Sequence, residues 1–514
     1  MGGRAMTGTN SSRLESLVSW DADWAGLRVV VTGIGLSGFS AADTLIELGA
    51  RVVLVDAREN EETLAKADTL RIVGAHEVLL GQEHTAALPL VGGEPAELVV
   101  TSPGWSPQQP LLAEAARAGI PIWGDVELAW RVRHRAGRRT ADWLTITGTN
   151  GKTTTVGLAE SMLQAAGLRA IAAGNVGTPV LDAIRDPVGY DVIAVELSSF
   201  QLHWSSSLSP LASVCLNVAQ DHVDWHGSFE NYLADKAKVY ANTQIACVYN
   251  AEQRETEAMV EEADVVEGCR AVGFTTGIPA VSMLGVVNGL LVDRAFIEDR
   301  RRSAAELGAV SDLGDVVPRH LVANALAAAA LVRAYGVEPA AVQAGIRNFQ
   351  HGAHRIQQVA TIEGVRWIND SKATNPHAAA ASLSAFDPVV WIAGGLSKGV
   401  DYDALVSGHA GRLKAVVLIG RDSSGLLGSL QRHAPDVPVI SVPPGETENG
   451  QATGNGEEVM AGAVAAAARI AADGDTVLMA PASASMDQFT SYAHRGDAFI
   501  EAVRRLEEGP AQER

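Results

Sequence analysis

An apolar run, Trp143 to Ile146, leads into Thr147-Gly148-Thr149-Asn150-Gly151-Lys152-Thr153-Thr154, and a helix-like segment, Thr155 to Ala166, follows. Strand, glycine-rich turn, Lys-Thr and helix, in that order, describe a turn wrapped around an anion. The backbone N–H groups of the turn and of the helix start point at the charge. Lys152 brings a point charge to the outer phosphates and Thr153 a hydroxyl to Mg²⁺. Gly148, Thr149, Asn150, Gly151 and Thr154 complete the cradle. The full phosphate-loop signature has a glycine where this chain has Ile146. The reading is an ATP site; a glycine-rich turn with an incidental lysine is the plain alternative.

The rest of the chain repeats the strand–helix alternation. Leu27-Val31, Arg51-Val55, Leu98-Thr101, Val192-Val195, Val214-Val218, Ile245-Tyr249, Val389-Ala393, Ala415-Ile419 and Thr476-Ala480 are short β-rich runs. Helical segments lie between many of them, which predicts an α/β protein of parallel sheets with covering helices. With 514 residues, about three domains are expected. The divisions fall at residues 23–124, 125–352 and 353–514, after a disordered extension over 1–22 whose start is rich in Gly, Ser, Thr and Asn. The stretch 443–456 reads as a mobile loop.

Composition narrows the function. Lys+Arg 40 against Asp+Glu 60 gives a net charge of −20, which disfavours a general nucleic-acid binder. The basic run Arg131 to Arg139 reads as a solvated helix end. Cys215, Cys247 and Cys269 show no paired spacing, against a disulfide framework or a structural zinc site; Cys215 and Cys247 are expected buried. The start of the chain carries no signal-peptide pattern, and no apolar run is long enough to span a bilayer. A cytoplasmic protein is the expectation.

Ligands of such folds sit at the carboxyl ends of strands, so strand-end residues carry the functional reading. Gly33-Ile34-Gly35-Leu36-Ser37-Gly38 is a G-x-G-x-x-G turn between a strand and a helix, and Asp56 ends the next strand. That favours NAD, or any nucleotide diphosphate seated on the helix start. Asn175, between Gly174 and Val176-Gly177, suits a close polar contact to substrate. Glu196 ends an apolar strand and could hold Mg²⁺ beside Thr153. His222, within Asp221-His222-Val223-Asp224, is read as a Mg²⁺ or substrate ligand. Lys236 and Lys238 sit on a helix and are by default solvent lysines. In the last block, Lys372 and Thr374, Lys398, and Ser485 lie in three strand-end loops, together a pocket for an anionic small molecule.

The peptides GTNGKTTT, AGNVG, ELSSFQL, DHVDWH, HR, NDSKATNP, GGLSKG and APASASMDQF, in this order, resemble the Mur ligase family over about Leu27 to about Ile500. ELSSFQL and NDSKATNP are most similar to the members that add D-glutamate. The resemblance implies three domains: a Rossmann-like N-terminal domain for a UDP sugar, a P-loop ATPase core, and a Rossmann-like C-terminal domain for an amino acid. It implies a peptidoglycan-precursor ligase, a monomer in the cytoplasm. ATP would phosphorylate the carboxylate of UDP-N-acetylmuramoyl-L-alanine, and D-glutamate would attack the acyl phosphate.

By match, Lys152, Glu196, His222 and Lys236 are the catalytic set. Thr153, Glu196, His222 and a CO₂-carbamylated Lys236 would hold Mg²⁺ at two sites. Asn324, Arg355 and Asp370 match nucleotide contacts. Leu36, Ser37, Gly38, Asp56, Arg58, Gly104 and Asn175 match the UDP-sugar side. Lys372, Thr374, Lys398, Ser485 and Tyr492 match the D-glutamate pocket, with Tyr492 where some relatives have Phe. Leu396 stands at a turn position that is acidic in some relatives. The rival readings are a sister ligase for another amino acid, a nicotinamide-dependent dehydrogenase and a nucleotide-binding regulator.

Overall fold

The structure, a computed structural model, describes residues 13–314, 317–350, 352–397, 400–442 and 456–508. Lys398, and the expected loop as far as residue 455, lie outside the described residues. The chain divides into two compact units. One comprises Met1–Leu313 with Val322–Phe349, the other Gly314–Leu321 with Gln350–Arg514.

The first unit holds two sheets. Strands β1 (Arg28–Thr32), β2 (Arg51–Asp56), β3 (Glu77–Leu80), β4 (Leu98–Thr101) and β5 (Ile122–Gly124) pair in the order β3-β2-β1-β4-β5, all parallel. Both faces of this sheet are buried: Val29 and Val31 enter one apolar core and Val30 the other. The two-residue side-chain period makes a continuous valine run the right sequence for such a strand.

The second sheet has nine strands: β6 (Asp142–Thr147), β7 (Ala170–Gly174), β8 (Val192–Glu196), β9 (Ala212–Cys215), β10 (Ala246–Asn250), β11 (Arg270–Phe274), β12 (Met283–Val287), β13 (Leu290–Asp293) and β14 (Ala305–Ala309). Their order is β14-β13-β12-β11-β10-β9-β6-β8-β7. The parallel pattern stops at one edge of this sheet, where β12, β13 and β14 pair antiparallel. Asn288 and Gly289, both at positive φ, close the β12–β13 hairpin as an Asn-Gly turn does.

The second unit carries β15 (Gln357–Ile362), β16 (Val365–Asn369), β17 (Val389–Gly394), β18 (Leu413–Ile419), β19 (Val439–Ser441) and β20 (Thr476–Met479) in the order β15-β16-β20-β17-β18-β19. Only β15 runs antiparallel to its neighbour.

Two expectations need correction. Residues 13–22 are not a disordered extension: Leu14 and Leu17 are buried in the first unit's core, and the Trp20 amide donates to the His134 carbonyl at 2.7 Å. The basic run is not simply solvated, because Arg131 pairs with buried Glu127 at 2.7 Å and Arg133 lies over the Trp130 ring. Cys215 and Cys247 are buried as expected. Among the described residues no helix is long and apolar enough to cross a membrane.

Candidate functional site

Strand β6 lies between β8 and β9, and the pairings Ile146↔Glu196, Gly174↔Glu196 and Thr147↔Cys215 bring the ends of β7, β8 and β9 level with the start of the Gly148–Lys152 turn. Gly151, at φ 85°, precedes the Lys152–Ala165 helix without any side-chain cap. Glycine offers no side chain to cap the helix, the arrangement found where a helix start takes an anion. A Cβ on Gly151 would stand 2.4 Å from Asn324 Oδ1, so Asn324 packs against the turn. Two residues that sequence reasoning missed shape the loop. The Asn217 side chain accepts from the Asn150 amide at 2.9 Å and donates to the Asn150 carbonyl at 3.0 Å. The Tyr232 hydroxyl lies 2.8 Å from Thr149 Oγ1. Asn217 lies in the expected strand run Val214-Val218, just ahead of the His222 segment, whereas Tyr232 carries no local signal.

Glu196 is buried at the end of β8. Its Oε1 accepts from Asn175 Nδ2 at 3.0 Å, and its Oε2 is buried with no hydrogen-bond partner. An orphaned buried carboxylate oxygen beside a phosphate loop fits a hard cation. Among the described residues no group of three or more His, Cys, Asp or Glu is set to hold a metal, so a cation here would need hydroxyl, phosphate or water oxygens as well. Asn175, matched to the sugar side by sequence, is engaged with Glu196 in this structure.

Two lysines meet at one carbonyl. Lys152 Nζ donates to Gly148 O at 2.9 Å and Thr149 O at 3.0 Å, and Lys236 Nζ donates to the same Gly148 O at 2.9 Å. Lys236 is only 2% exposed and lies 4.9 Å above the Tyr232 ring, which overturns the default of a solvent lysine. Burial first, and the charge of Lys152 second, bring its ammonium down to about 7, so much of it is neutral amine near neutral pH. His222 adopts φ 51°, is exposed, sits edge-on to Phe200 at 4.8 Å and lies 3.7 Å from Asp221.

In the β1–β5 layer, Leu36, Ser37, Asp56, Arg58 and Gly104 line one pocket of ≈ 510 Å³, together with Gly33, Ser102 and Trp105. Gly38 lies behind the lining: a Cβ there would stand 1.8 Å from Gly33 O, so this glycine permits the helix to approach the turn. The Leu36–Glu47 helix also starts without a side-chain cap. Asp56 accepts from the Ile34 amide at 2.7 Å, the Arg58 amide at 2.8 Å and the Arg58 guanidinium at 3.1 and 3.2 Å. Burial alone would raise the Asp56 pKa, but these bonds outweigh it and hold the group below its usual range.

In the second unit, β20 lies between β16 and β17, which sets their three terminal loops side by side. Lys372 Nζ stands 3.7 Å over the Tyr492 ring. Leu396 and Ala484 exchange backbone hydrogen bonds, and fully buried Arg495 donates to Ser371 and Ser483. The Thr374 amide donates to Lys372 O at 2.8 Å, and Ser485 is buried in the β20 loop. Asp370 is buried, bonded by Ser382 Oγ and the Ile356 amide, and burial raises its pKa to about 6. Arg355 lies in the turn ahead of β15.

Comparison with known proteins agrees with this layout. Residues 27–124 match the MurD-like N-terminal domain of Mur ligases, 146–332 the Mur ligase middle domain, and 354–483 the Mur ligase glutamate ligase domain. The chain is 52% identical to the UDP-N-acetylmuramoylalanine–D-glutamate ligase of Leifsonia xyli subsp. xyli, over 98% of this chain and 97% of that protein. It is likewise 52% identical to the enzyme of that name from Streptomyces coelicolor, over 94% and 99%. At 18% identity the fold is shared with the UDP-N-acetylmuramate–alanine ligase MurC of Thermotoga maritima (TM-score 0.51, covering 93% and 99%). The chain belongs to the Mur ligase family, among its UDP-N-acetylmuramoylalanine–D-glutamate ligases.

Proposed function

We propose that the chain joins D-glutamate to the L-alanyl carboxylate of UDP-N-acetylmuramoyl-L-alanine, with conversion of ATP to ADP and phosphate. The observation that carries the reading is the 52% identity sustained over 98% of the chain, which spans all three matched domains. An alanyl carboxylate oxygen attacks the γ-phosphorus and ADP departs. The amine of D-glutamate then attacks the acyl-phosphate carbon, and the tetrahedral intermediate expels phosphate as the nitrogen loses a proton. The reacting groups are mostly anions, so positioning and positive charge carry the catalysis.

Lys152 and the uncapped Gly151 turn take the phosphates, and Asn324 braces the turn. Thr153 and Glu196 would hold one Mg²⁺, and His222 with carbamylated Lys236 a second; the ions would neutralise charge on the phosphates. The Lys236 amine, neutral for much of the time near pH 7, adds to CO₂ and loses a proton. The product is an anion beside Lys152 where two ammonium groups had competed. Arg58 and the start of the Leu36–Glu47 helix take the UDP end, with Leu36, Ser37, Gly38, Asp56 and Gly104 shaping the pocket. Asn175 orients Glu196 and stands on the sugar side. Lys372, Thr374, Lys398, Ser485 and Tyr492 take D-glutamate, and Arg355 and Asp370 complete the nucleotide contacts. The reading carries with it a monomer working in the cytoplasm.

The test is phosphate release from Mg-ATP with the nucleotide sugar and D-glutamate, L-glutamate, L-lysine or diaminopimelate. Release that needs both the sugar and D-glutamate supports the reading. Release with another amino acid moves the chain to a sister step, and no release with any of them overturns the ligase assignment.

A further inference from the structure

The reaction as written leaves a buried polar chain unused. His226 Nε2 lies 3.0 Å from Ser199 Oγ, and His226 Nδ1 lies 2.9 Å from Asp235 Oδ2. His203 Nδ1 reaches the same Asp235 oxygen at 2.8 Å, and Lys238 Nζ reaches Oδ1 at 2.8 Å. Phe200 stacks on the His226 ring at 5.5 Å and Tyr232 meets it edge-on at 5.3 Å. The order Ser-His-Asp is that of a hydrolytic triad, but Ser199 is 3% exposed and opens a helix inside the fold. A nucleophile there has no access to substrate.

What the chain joins is more informative. Ser199 begins the Ser199–His203 helix, three residues beyond Glu196. His226 ends the one-turn helix whose N-cap is His222. Asp235 directly precedes Lys236 on the Phe229–Ala237 helix. Each of the three expected cation ligands of the Glu196–His222–Lys236 set thus lies within four residues of one member of the chain. As an acceptor of several donors, Asp235 takes the Nδ1–H of His226, which leaves Nε2 to accept the Ser199 hydroxyl. This fixes the tautomer and the ring orientation.

We propose that Ser199, His226 and Asp235 are positioning residues that lock three elements together, so that Glu196, His222 and Lys236 stand at the spacing the cations need. Sites of this kind lose function when ligands drift by about 0.5 Å. The inference rests on the reading of carbamylated Lys236 as a ligand.

The test uses the full chain and Asp235→Asn, Ser199→Ala and Lys236→Ala variants. Carbamate is read by ¹³C NMR after equilibration with ¹³C-bicarbonate. Mn²⁺ affinity is read by electron paramagnetic resonance in the presence of a non-hydrolysable ATP analogue, and kinetics follow. Asp235→Asn puts an amide among donors that need an acceptor. It is expected to weaken Mn²⁺ binding about tenfold or more, to lose most of the carbamate signal, and to lower kcat while KM for the nucleotide sugar stays put. Ser199→Ala shifts the same readouts in the same direction by less, and decides the matter if Asp235→Asn does not fold. Folded variants with wild-type Mn²⁺ affinity and full carbamate overturn the positioning role. A wild-type signal that is absent, or that survives Lys236→Ala, removes the carbamate reading instead, and the Mn²⁺ arm then decides the positioning role alone.

Discussion

Replacing Lys236 by Met should abolish turnover yet relieve a folding penalty. Lys236 Nζ shares the Gly148 carbonyl with Lys152 and is 2% exposed. Its pKa falls from the ordinary 10.5 to about 7 in the folded chain. Between those values the unfolded chain holds the extra proton, so stability contributed by this residue rises with pH across the window. Below about 7 both states are protonated and the full penalty stands. At about 1.4 kcal/mol per unit, the penalty shrinks by about 2 kcal/mol between about pH 7 and about pH 9. For a unit of this size that is roughly 3 °C in the unfolding midpoint. Met matches the length of Lys and carries no charge, so the variant lacks this slope. The assay is thermal unfolding of both proteins in CO₂-free buffer over that range, followed by the difference between their midpoints. The wild type should gain on the variant as pH rises. Added bicarbonate at constant pH should then raise only the wild-type midpoint, since a group that binds the folded state alone stabilises it. Parallel midpoint curves for the two proteins would refute the argument that Lys236 is buried against a second charge.

Glu196→Gln keeps the bond to Asn175 but puts an amide where the orphaned oxygen stands. Metal-dependent phosphate release should fall by about a hundredfold or more, and an unchanged Mg²⁺ titration would exclude Glu196 as a ligand. Gly38→Ala drives a Cβ to 1.8 Å from Gly33 O, an overpacking cost of about 1–3 kcal/mol. Calorimetry should show weaker UDP binding with ATP-analogue affinity unchanged; equal loss of both would point to general unfolding. Lys372→Met removes the cation 3.7 Å from the Tyr492 ring and should raise KM for D-glutamate about tenfold, a charged hydrogen bond being worth about 1.5 kcal/mol or more. An equal rise in KM for ATP would argue against that pocket.

Much of this was legible because it is local. Strand, turn and helix around Lys152 follow one another in the chain, and Glu196 is marked by ending an apolar run. The residues that escaped act across strands. Asn217 reaches Asn150 only because β9 pairs with β6 in a register that levels their ends. Lys236 gives no hint of burial, since its helix is otherwise polar enough for a surface position. The antiparallel edges were foreshadowed by Asn288-Gly289 and Glu363-Gly364, each pair at positive φ. The flanking runs are short, however, and the strand–helix alternation elsewhere drew the reading toward parallel pairing.

The first-layer pocket shows how a shared motif is separated by its second residue. A G-x-G-x-x-G turn followed by an acidic strand end suits a dinucleotide when the carboxylate is left to bind a ribose diol. Here Asp56 is committed to the amides of Ile34 and Arg58 and to the Arg58 guanidinium. The carboxylate therefore anchors a cation, and the Arg58 side chain, 60% exposed, carries that charge on the pocket lining near an uncapped helix start. We propose that a pocket built this way prefers the diphosphate of a nucleotide sugar to the ribose diol of a nicotinamide cofactor. That preference follows from which atoms Asp56 has already bonded, and the spacing of the glycines alone contains no trace of it.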